Sequence, residues 1–251
     1  MSLLRTFLYG FSIFVTTIWW GLACILGAMI GVEHVTGGLY DRAARNWGRW
    51  LCRMNGLTVR TEGQDVLPTG VPYVYVANHF SFCDIWALLV ILPDPVRFIA
   101  KKELFAIPIL GPALRAARHI SIDRKNLQAA FGAYEEAATA IRSGISAVVF
   151  AEGTRSPDGK LHPFKKGPFV LAIASQVPAV PVWVEGAFEA LPKGQWWVKP
   201  GVVTIRFGAP VPTQGLTYDD RDQLMEEVRV RIVELAGDSA GVRVDPVGAR
   251  G

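Results

Sequence analysis

Val71-Pro72-Tyr73-Val74-Tyr75-Val76-Ala77-Asn78-His79-Phe80-Ser81-Phe82-Cys83-Asp84 is the stretch on which the fold turns. Its first half is rich in Val and Tyr and reads as a buried strand, and the apolar run Ile85 to Leu92 behind it reads as a helix. The polar residues between them fall in a strand-to-helix turn, where α/β sheets place their chemistry. His79 belongs to that turn. Asp84 belongs to the first helical turn, where a carboxylate suits the positive end of the dipole. On one continuous helix the two would point about 140° apart at ~100° per residue. A turn between them instead folds the carboxylate onto the imidazole. One ring nitrogen is then fixed, and the other is free to take a proton from an alcohol. The plainer alternative is a His and an Asp that cap a turn.

Outward from this stretch, extended and helical patterns alternate. Extended runs are expected at Leu57–Thr61, Val71–Ala77, Val96–Ala100, His119–Asp123, Ala147–Ala151, Val177–Val184 and Val202–Phe207. Helices are expected at Asp84–Leu92, Asn126–Ser143, Pro168–Gln176 and Tyr218–Leu235, the last preceded by a Thr217/Asp220 capping pattern. This order predicts a single α/β domain over 57–236, with a largely parallel central sheet flanked by helices. A Gly- and Pro-containing tail, 237–251, is expected to be loose.

The first 56 residues read as a membrane-anchoring helical segment. Leu3 to Ile30 is almost continuously apolar, and as one helix it is about 42 Å long at ~1.5 Å per residue, against a hydrocarbon core of about 30 Å. It is expected to span with tilt, or to break at Gly21 and re-enter. It is too long for a signal peptide, and no A-x-A site follows. Downstream, Arg42, Arg45, Arg49 and Arg53 share one side of a helical wheel, and Trp47, Trp50, Leu51 and Met54 share another. That is the pattern of a helix lying in a bilayer interface. Because these arginines follow the apolar segment and only Arg5 precedes it, the positive-inside rule puts the main domain on the cytoplasmic side of its membrane.

Composition agrees. In 251 residues, 51% are hydrophobic and eight are Trp, which favours a phospholipid bilayer as partner. A net charge of +4 and a pI near 9.0 suit an anionic membrane face or a phosphorylated substrate. Without a Lys/Arg block or an RNA-binding motif, nucleic acid is not expected as a partner. Cys24, Cys52 and Cys83 form no C-x-x-C pair, which argues against a disulfide framework or a zinc site and for a reducing compartment. Cys83 is read as a packing residue rather than a nucleophile. His34, His119 and His162 carry no motif, and no chemistry is assigned to them.

Three polar clusters stand at expected strand ends: Lys101-Lys102-Glu103, Ile120-Ser121-Ile122-Asp123-Arg124 and Glu152-Gly153-Thr154-Arg155-Ser156. A fourth, Lys165-Lys166-Gly167, precedes a helix. Each offers a cation or backbone amides, the tools for holding a phosphate. Beside the His79/Asp84 pair they predict a site for an anionic substrate.

The order Asn78-His79-x-Ser81-x-x-Asp84, Ile120-x-Ile122-Asp123-Arg124, Glu152-Gly153-Thr154-Arg155-Ser156 and Val180-Pro181-Val182 resembles the glycerolipid acyltransferases, above all the bacterial 1-acylglycerol-3-phosphate acyltransferase group. The resemblance covers roughly Val71 to Phe207. It implies transfer of a fatty acyl group from acyl-CoA or acyl-acyl carrier protein to lysophosphatidate, forming phosphatidate. Glycerol 3-phosphate or another lysolipid is the alternative acceptor. It implies no metal and no cofactor beyond the thioester co-substrate. His79 is then the base and Asp84 its orienting partner. Arg155 grips the acceptor phosphate, while Lys101 and Arg124 add positive charge. Glu152, Gly153 and Thr154 shape the loop, with Glu152 expected on a glycerol hydroxyl. A thiolate leaves readily, so one base and an oxyanion-stabilising site suffice. Two positions depart from the family pattern: Arg118 stands where a glycine is usual, and Ala151 where a proline is usual. Arg118 is expected to bear on acceptor choice. The competing readings are a hydrolase with His79 and Asp84 as metal ligands, and a non-catalytic module that binds anionic lipid.

Overall fold

All seven extended runs form strands in the computed structural model, which describes residues 2–92, 95–123 and 127–240. They are β1 (Leu57–Glu62), β2 (Val74–Ala77), β3 (Val96–Lys101), β4 (Ile120–Ile122), β5 (Ser146–Phe150), β6 (Ala179–Glu185) and β7 (Gly201–Phe207). They join one sheet in the order β1-β7-β6-β2-β5-β3-β4, in which only the β6–β7 pair is antiparallel. Strand β2 is central and buried on both faces, as its unbroken apolar composition requires. It begins later than its apolar run because Pro72 has no N–H to give. The next N–H, that of Tyr73, goes to the Ser146 hydroxyl.

Alternate residues of each strand feed two cores. Tyr73, Tyr75 and Ala77 join Leu51, Trp86, Leu88, Val182 and Ile205 on one side. Val74 and Val76 join Ile141, Phe169, Leu171, Val228 and Ile232 on the other. Each fully buried Leu, Ile or Val contributes roughly 1.5–3 kcal/mol. The first core is covered by α2 (Leu39–Met54) and α3 (Cys83–Ile91), the second by α5 (Leu127–Arg142), α6 (Gly167–Ser175) and α8 (Arg221–Ala236). Thr217 and Asp220 form the expected capping box at the turn that leads into α8. Two short helices were not expected, α4 (Leu110–Ala116) and α7 (Ala187–Ala190).

Two features mark the packing of the N-terminal 56 residues: of the two courses expected for the apolar segment the break at Gly21 is absent, and the helix expected in a bilayer interface is partly covered by protein. First, α1 (Ser2–Met29) runs unbroken through Gly21. That glycine is a contact point: a Cβ there would stand 2.9 Å from the Ile109 side chain at the entry to α4. One side of α1, including Tyr9, Ser12, Thr16 and Cys24, is buried, whereas Leu4, Phe7, Phe11, Phe14, Trp19, Leu22, Leu26 and Met29 are exposed. Second, α2 is a core helix and not a free interfacial one. Tyr40, Ala43, Gly48, Leu51 and Cys52 are buried, and Gly48 lets the helix approach α3 so closely that a Cβ would stand 2.8 Å from the Trp86 carbonyl. Trp47 packs on that core and gives its indole N–H to the Thr17 hydroxyl of α1 at 3.1 Å. Arg45 donates to the Leu92 carbonyl, and Asp41 pairs with buried Arg97 at 2.9 Å. Only Trp50 and Met54 of the expected apolar face remain exposed.

Arg118 takes a left-handed conformation, φ 57°, between α4 and β4, and its side chain is exposed. That conformation disfavours any residue with a Cβ by about 1 kcal/mol, which explains a preference for glycine here on backbone grounds alone. Arg118→Gly is therefore expected to raise the melting temperature by ~2–4 °C, the shift that about 1 kcal/mol gives in a domain of this size. Thermal unfolding of the two proteins in one detergent checks this. A lower melting temperature would mean that the arginine side chain contributes more than its backbone costs.

Candidate active site

Where β2 ends, the chain turns through Asn78–Phe82 into α3. Asn78 is buried and locks the turn to β6: its Nδ2 donates to the Val184 carbonyl at 2.9 Å, and its Oδ1 accepts the Val184 N–H at 2.7 Å. Ser81 gives its hydroxyl to the Leu191 carbonyl and accepts the Cys83 N–H, which makes it a helix-entry residue. Asp84 is fully buried. Its Oδ2 accepts the Phe80 N–H at 2.7 Å, the Ser81 N–H at 2.9 Å and His79 Nδ1 at 2.8 Å. The carboxylate thus fixes the hydrogen on Nδ1 and leaves Nε2 as the proton acceptor. The imidazole is also held flat against Phe150, ring centroids 3.8 Å apart.

The loop after β5 packs behind this turn. Gly153 makes its tight bend with φ 70°. Glu152 turns inward instead of toward a substrate hydroxyl, and it is buried. One of its oxygens accepts the His79 N–H and the other the His162 N–H, each at 3.0 Å. The Ser156 N–H closes the same junction on the His79 carbonyl at 2.8 Å. A second His–Asp pair, His162 and Asp158 at 2.8 Å, is exposed and holds the loop with the Ser156 hydroxyl. Arg155 lays its guanidinium over the Phe82 ring, 3.9 Å from the centroid. Among the described residues no carboxylate forms an ion pair with that guanidinium, and partial burial lowers its pKa. A half-desolvated, unpaired cation is a receptor for an anion.

His79, Lys101, Gly153, Thr154 and Arg155 line the mouth of one cavity of about 410 Å³. Lys101 there also pairs with Glu103 at 3.2 Å. From this mouth the cavity runs between α1, α2, α3 and α4, walled by Trp20, Trp86, Leu89, Leu110 and Leu114. Asp84 and Glu152 stand behind the mouth rather than in it. Arg124 lies outside the described residues. Arg118 does not line the cavity; its neighbours Ala117 and His119 do. Cys83 is buried, and burial pushes its thiol up to about 12, which fits a packing residue. Reading residues one at a time missed the aromatic partners Phe82 and Phe150 and the wall from α4. The signal for α4 was the helical spacing of Leu110, Ala113, Leu114 and Ala117.

Residues 58–185 match the acyltransferase family model. The 1-acyl-sn-glycerol-3-phosphate acyltransferase of Limnanthes douglasii is 32% identical over 236 residues, covering 92% of this chain and 82% of the relative. The 1-acyl-sn-glycerol-3-phosphate acyltransferase alpha of Homo sapiens is 37% identical over 191 residues, covering 74% and 68%. The crystal structure of the 1-acyl-sn-glycerophosphate (LPA) acyltransferase PlsC from Thermotoga maritima superposes with a TM-score of 0.79 at 27% identity, covering 97% of this chain and 98% of that one.

Burial pushes the Glu152 carboxyl up to about 7, against the His79 and His162 N–H donors, which pull it down. An unfolded chain has its Glu near ~4.3, so between the two values the folded chain binds more protons. The contribution of Glu152 to stability is then full below the unfolded value and is lost as the pH rises through about 7. Glu152→Gln cannot titrate and is expected to flatten the fall in melting temperature across that window. An equally steep fall in the variant would remove Glu152 as its source.

Proposed function

The chain belongs to the glycerolipid acyltransferase family, and from that premise we propose that it transfers a fatty acyl group from an acyl thioester to the free hydroxyl of 1-acylglycerol 3-phosphate, forming phosphatidate. The observation that carries this reading is an imidazole oriented by Asp84 at the mouth of an apolar cavity, beside an unpaired guanidinium. His79 Nε2 takes the proton of the acceptor hydroxyl as its oxygen attacks the thioester carbonyl. The C–S bond breaks, and the leaving thiolate recovers the proton from the imidazolium. Asp84 holds the tautomer through both steps. The acyl chain of the donor, acyl-CoA or acyl-acyl carrier protein, lies in the cavity, and the carrier part of the thioester remains outside it. The reaction as written uses no metal and no cofactor beyond that co-substrate.

Arg155 receives the acceptor phosphate. A monoester offers nearly two charges and three oxygens, and a planar fork meets two oxygens at once. Choline on that phosphate would remove one charge and bring a cation to a positive mouth. Lysophosphatidate is therefore favoured over lysophosphatidylcholine, and over glycerol 3-phosphate because the exposed face of α1 supplies a bilayer to an acceptor with one chain. That face, with Trp50 and Met54, rests in the membrane. The opposite face carries the α/β domain along its length, so polar backbone would enter the hydrocarbon if α1 crossed it alone. The helix therefore lies along the cytoplasmic face of the inner membrane.

In initial-rate measurements, His79→Ala is expected to lower kcat at least ~100-fold, the usual contribution of a general base, and Asp84→Asn to follow it. Arg155→Lys is expected to raise the KM for lysophosphatidate far more than that for the acyl donor. Lysophosphatidate should be used at least ~10-fold faster than lysophosphatidylcholine, which is ~1.4 kcal/mol. A fully active His79→Ala protein would end the base assignment, and equal rates on the two acceptors would end that of Arg155. Phe14→Glu, on the exposed face of α1, is expected to weaken flotation with anionic vesicles. Undiminished flotation would place the membrane elsewhere.

A further inference from the structure

The cavity wall is apolar along most of its length, and two of its polar groups have protein partners. Tyr40 gives its hydroxyl hydrogen to the Val32 carbonyl at 3.2 Å, and the Thr17 oxygen takes the Trp47 indole N–H at 3.1 Å. His119 differs. Its Nδ1 accepts the Phe98 backbone N–H at 3.0 Å, so the lone pair is on Nδ1 and the ring hydrogen is on Nε2. Burial, with the Arg97 charge added, pulls this imidazole down to about 3, which favours the neutral ring; the Phe98 N–H sets its tautomer. Among the described residues nothing accepts from Nε2. His119 is half-buried and is one of the residues that line the cavity. A row of aromatic rings leads to it from the base: Phe150 at 3.8 Å from His79, Phe98 at 6.2 Å from Phe150, and His119 at 6.2 Å from Phe98. Phe98 and Phe150 also line the cavity, so a chain that starts at His79 and fills the cavity runs along this row.

We propose that His119 is a specificity-determining residue whose Nε2–H stands in the acyl cavity as a donor, disfavouring saturated chains long enough to cover it and favouring chains that carry an oxygen at that depth. The proposal rests on the cavity being the acyl site. A short chain leaves space for water on Nε2. A longer saturated chain expels that water and strands a buried donor, which is the costly arrangement. A chain with a hydroxyl or keto oxygen at the right carbon takes the hydrogen bond itself. Sites built to bond a polar group reject its apolar analogue far more strongly than apolar pockets reject an added hydroxyl.

The test uses the full chain in detergent with lysophosphatidate as acceptor. Donors are saturated acyl chains of increasing length and long chains hydroxylated at successive mid-chain carbons, each supplied as acyl-CoA and as acyl-acyl carrier protein. Two variants are compared with the parent. His119→Asn keeps an oxygen for the Phe98 N–H while withdrawing the donor from the Nε2 position, and His119→Leu removes both groups. The quantity read is the ratio of kcat/KM between two donors on one preparation, which a change in folded fraction does not move. In the parent, at least one hydroxylated donor is expected to exceed the saturated donor of equal length by about tenfold, or ~1.4 kcal/mol. In His119→Asn that ratio should fall to about one, and the saturated optimum should move to longer chains. A parent ratio near one, or a ratio unchanged in both variants, overturns the proposal alone. No transfer from any acyl-CoA or acyl-acyl carrier protein overturns the acyltransferase reading, and the proposal with it.

Discussion

Oδ2 of Asp84 is a single buried atom that takes hydrogen bonds from Phe80 N, Ser81 N and His79 Nδ1. Two of these donors are backbone, so the carboxylate shapes the turn with the same oxygen that orients the imidazole. Without it, two buried N–H groups would lose their partner and the turn would have no fixed path into α3. The turn then fixes what surrounds it. The His79 N–H reaches Glu152 and the His79 carbonyl takes the Ser156 N–H, so the loop after β5 is held against the loop after β2. Arg155 belongs to that second loop, and its place over Phe82 follows from the same junction. The His79 imidazole and the Arg155 guanidinium are thus set relative to each other by hydrogen bonds of backbone groups at the ends of two adjacent parallel strands.

The sheet was legible because its strands are runs of β-branched and aromatic residues closed by Gly, Pro or charge, and because helical spacing separates them. The His79/Asp84 pair was legible because the five-residue separation needs a turn to bring the groups together, and a strand before and an apolar run after supply one. Other parts were hidden for physical reasons. The wheel of α2 shows an apolar side, but such a side looks the same whether lipid or protein covers it. Only the close approach at Gly48 and the bond from Trp47 to Thr17 identify the cover as α3 and α1. Pro108, Gly111 and Pro112 crowd α4 and masked its period. Glu152 stands in a motif rich in substrate-facing groups. Its inward turn depends on the N–H of His162, ten residues on, which a reading of local pattern does not include.

Electrostatic asymmetry at the mouth follows from the same packing. The buried carboxylates are committed to backbone N–H groups, and the cations at the rim have few acidic neighbours. Asp84 and Glu152 therefore brace the architecture, Asp84 with the His79 ring as a further partner, while the Arg155 guanidinium lies over an aromatic ring. Arg118 shows the opposite case. It is a cation at a sequence position next to the cavity, but its left-handed backbone carries the side chain to the surface, outside the mouth.

Thr17, Trp20, Gly21 and Cys24 of α1 form part of the cavity wall, and Phe14, Trp19, Leu22 and Leu26 of the same helix face outward. Trp19 and Trp20, adjacent in sequence and about 100° apart on the helix, divide between the two: Trp19 is exposed and Trp20 lines the cavity. In the proposed membrane-bound state, an acyl chain inside the cavity and the hydrocarbon outside would be separated by the thickness of one helix, about 10 Å. Among the described residues, Phe14, Trp19, Leu22 and Leu26 on the outer face of this helix are exposed, with no second protein layer over them. In that state the lateral pressure and packing order of the surrounding lipid would bear on cavity width, and chain preference would be a joint property of the enzyme and its bilayer. Micelles and membranes of different fluidity present differently braced walls to the same substrate.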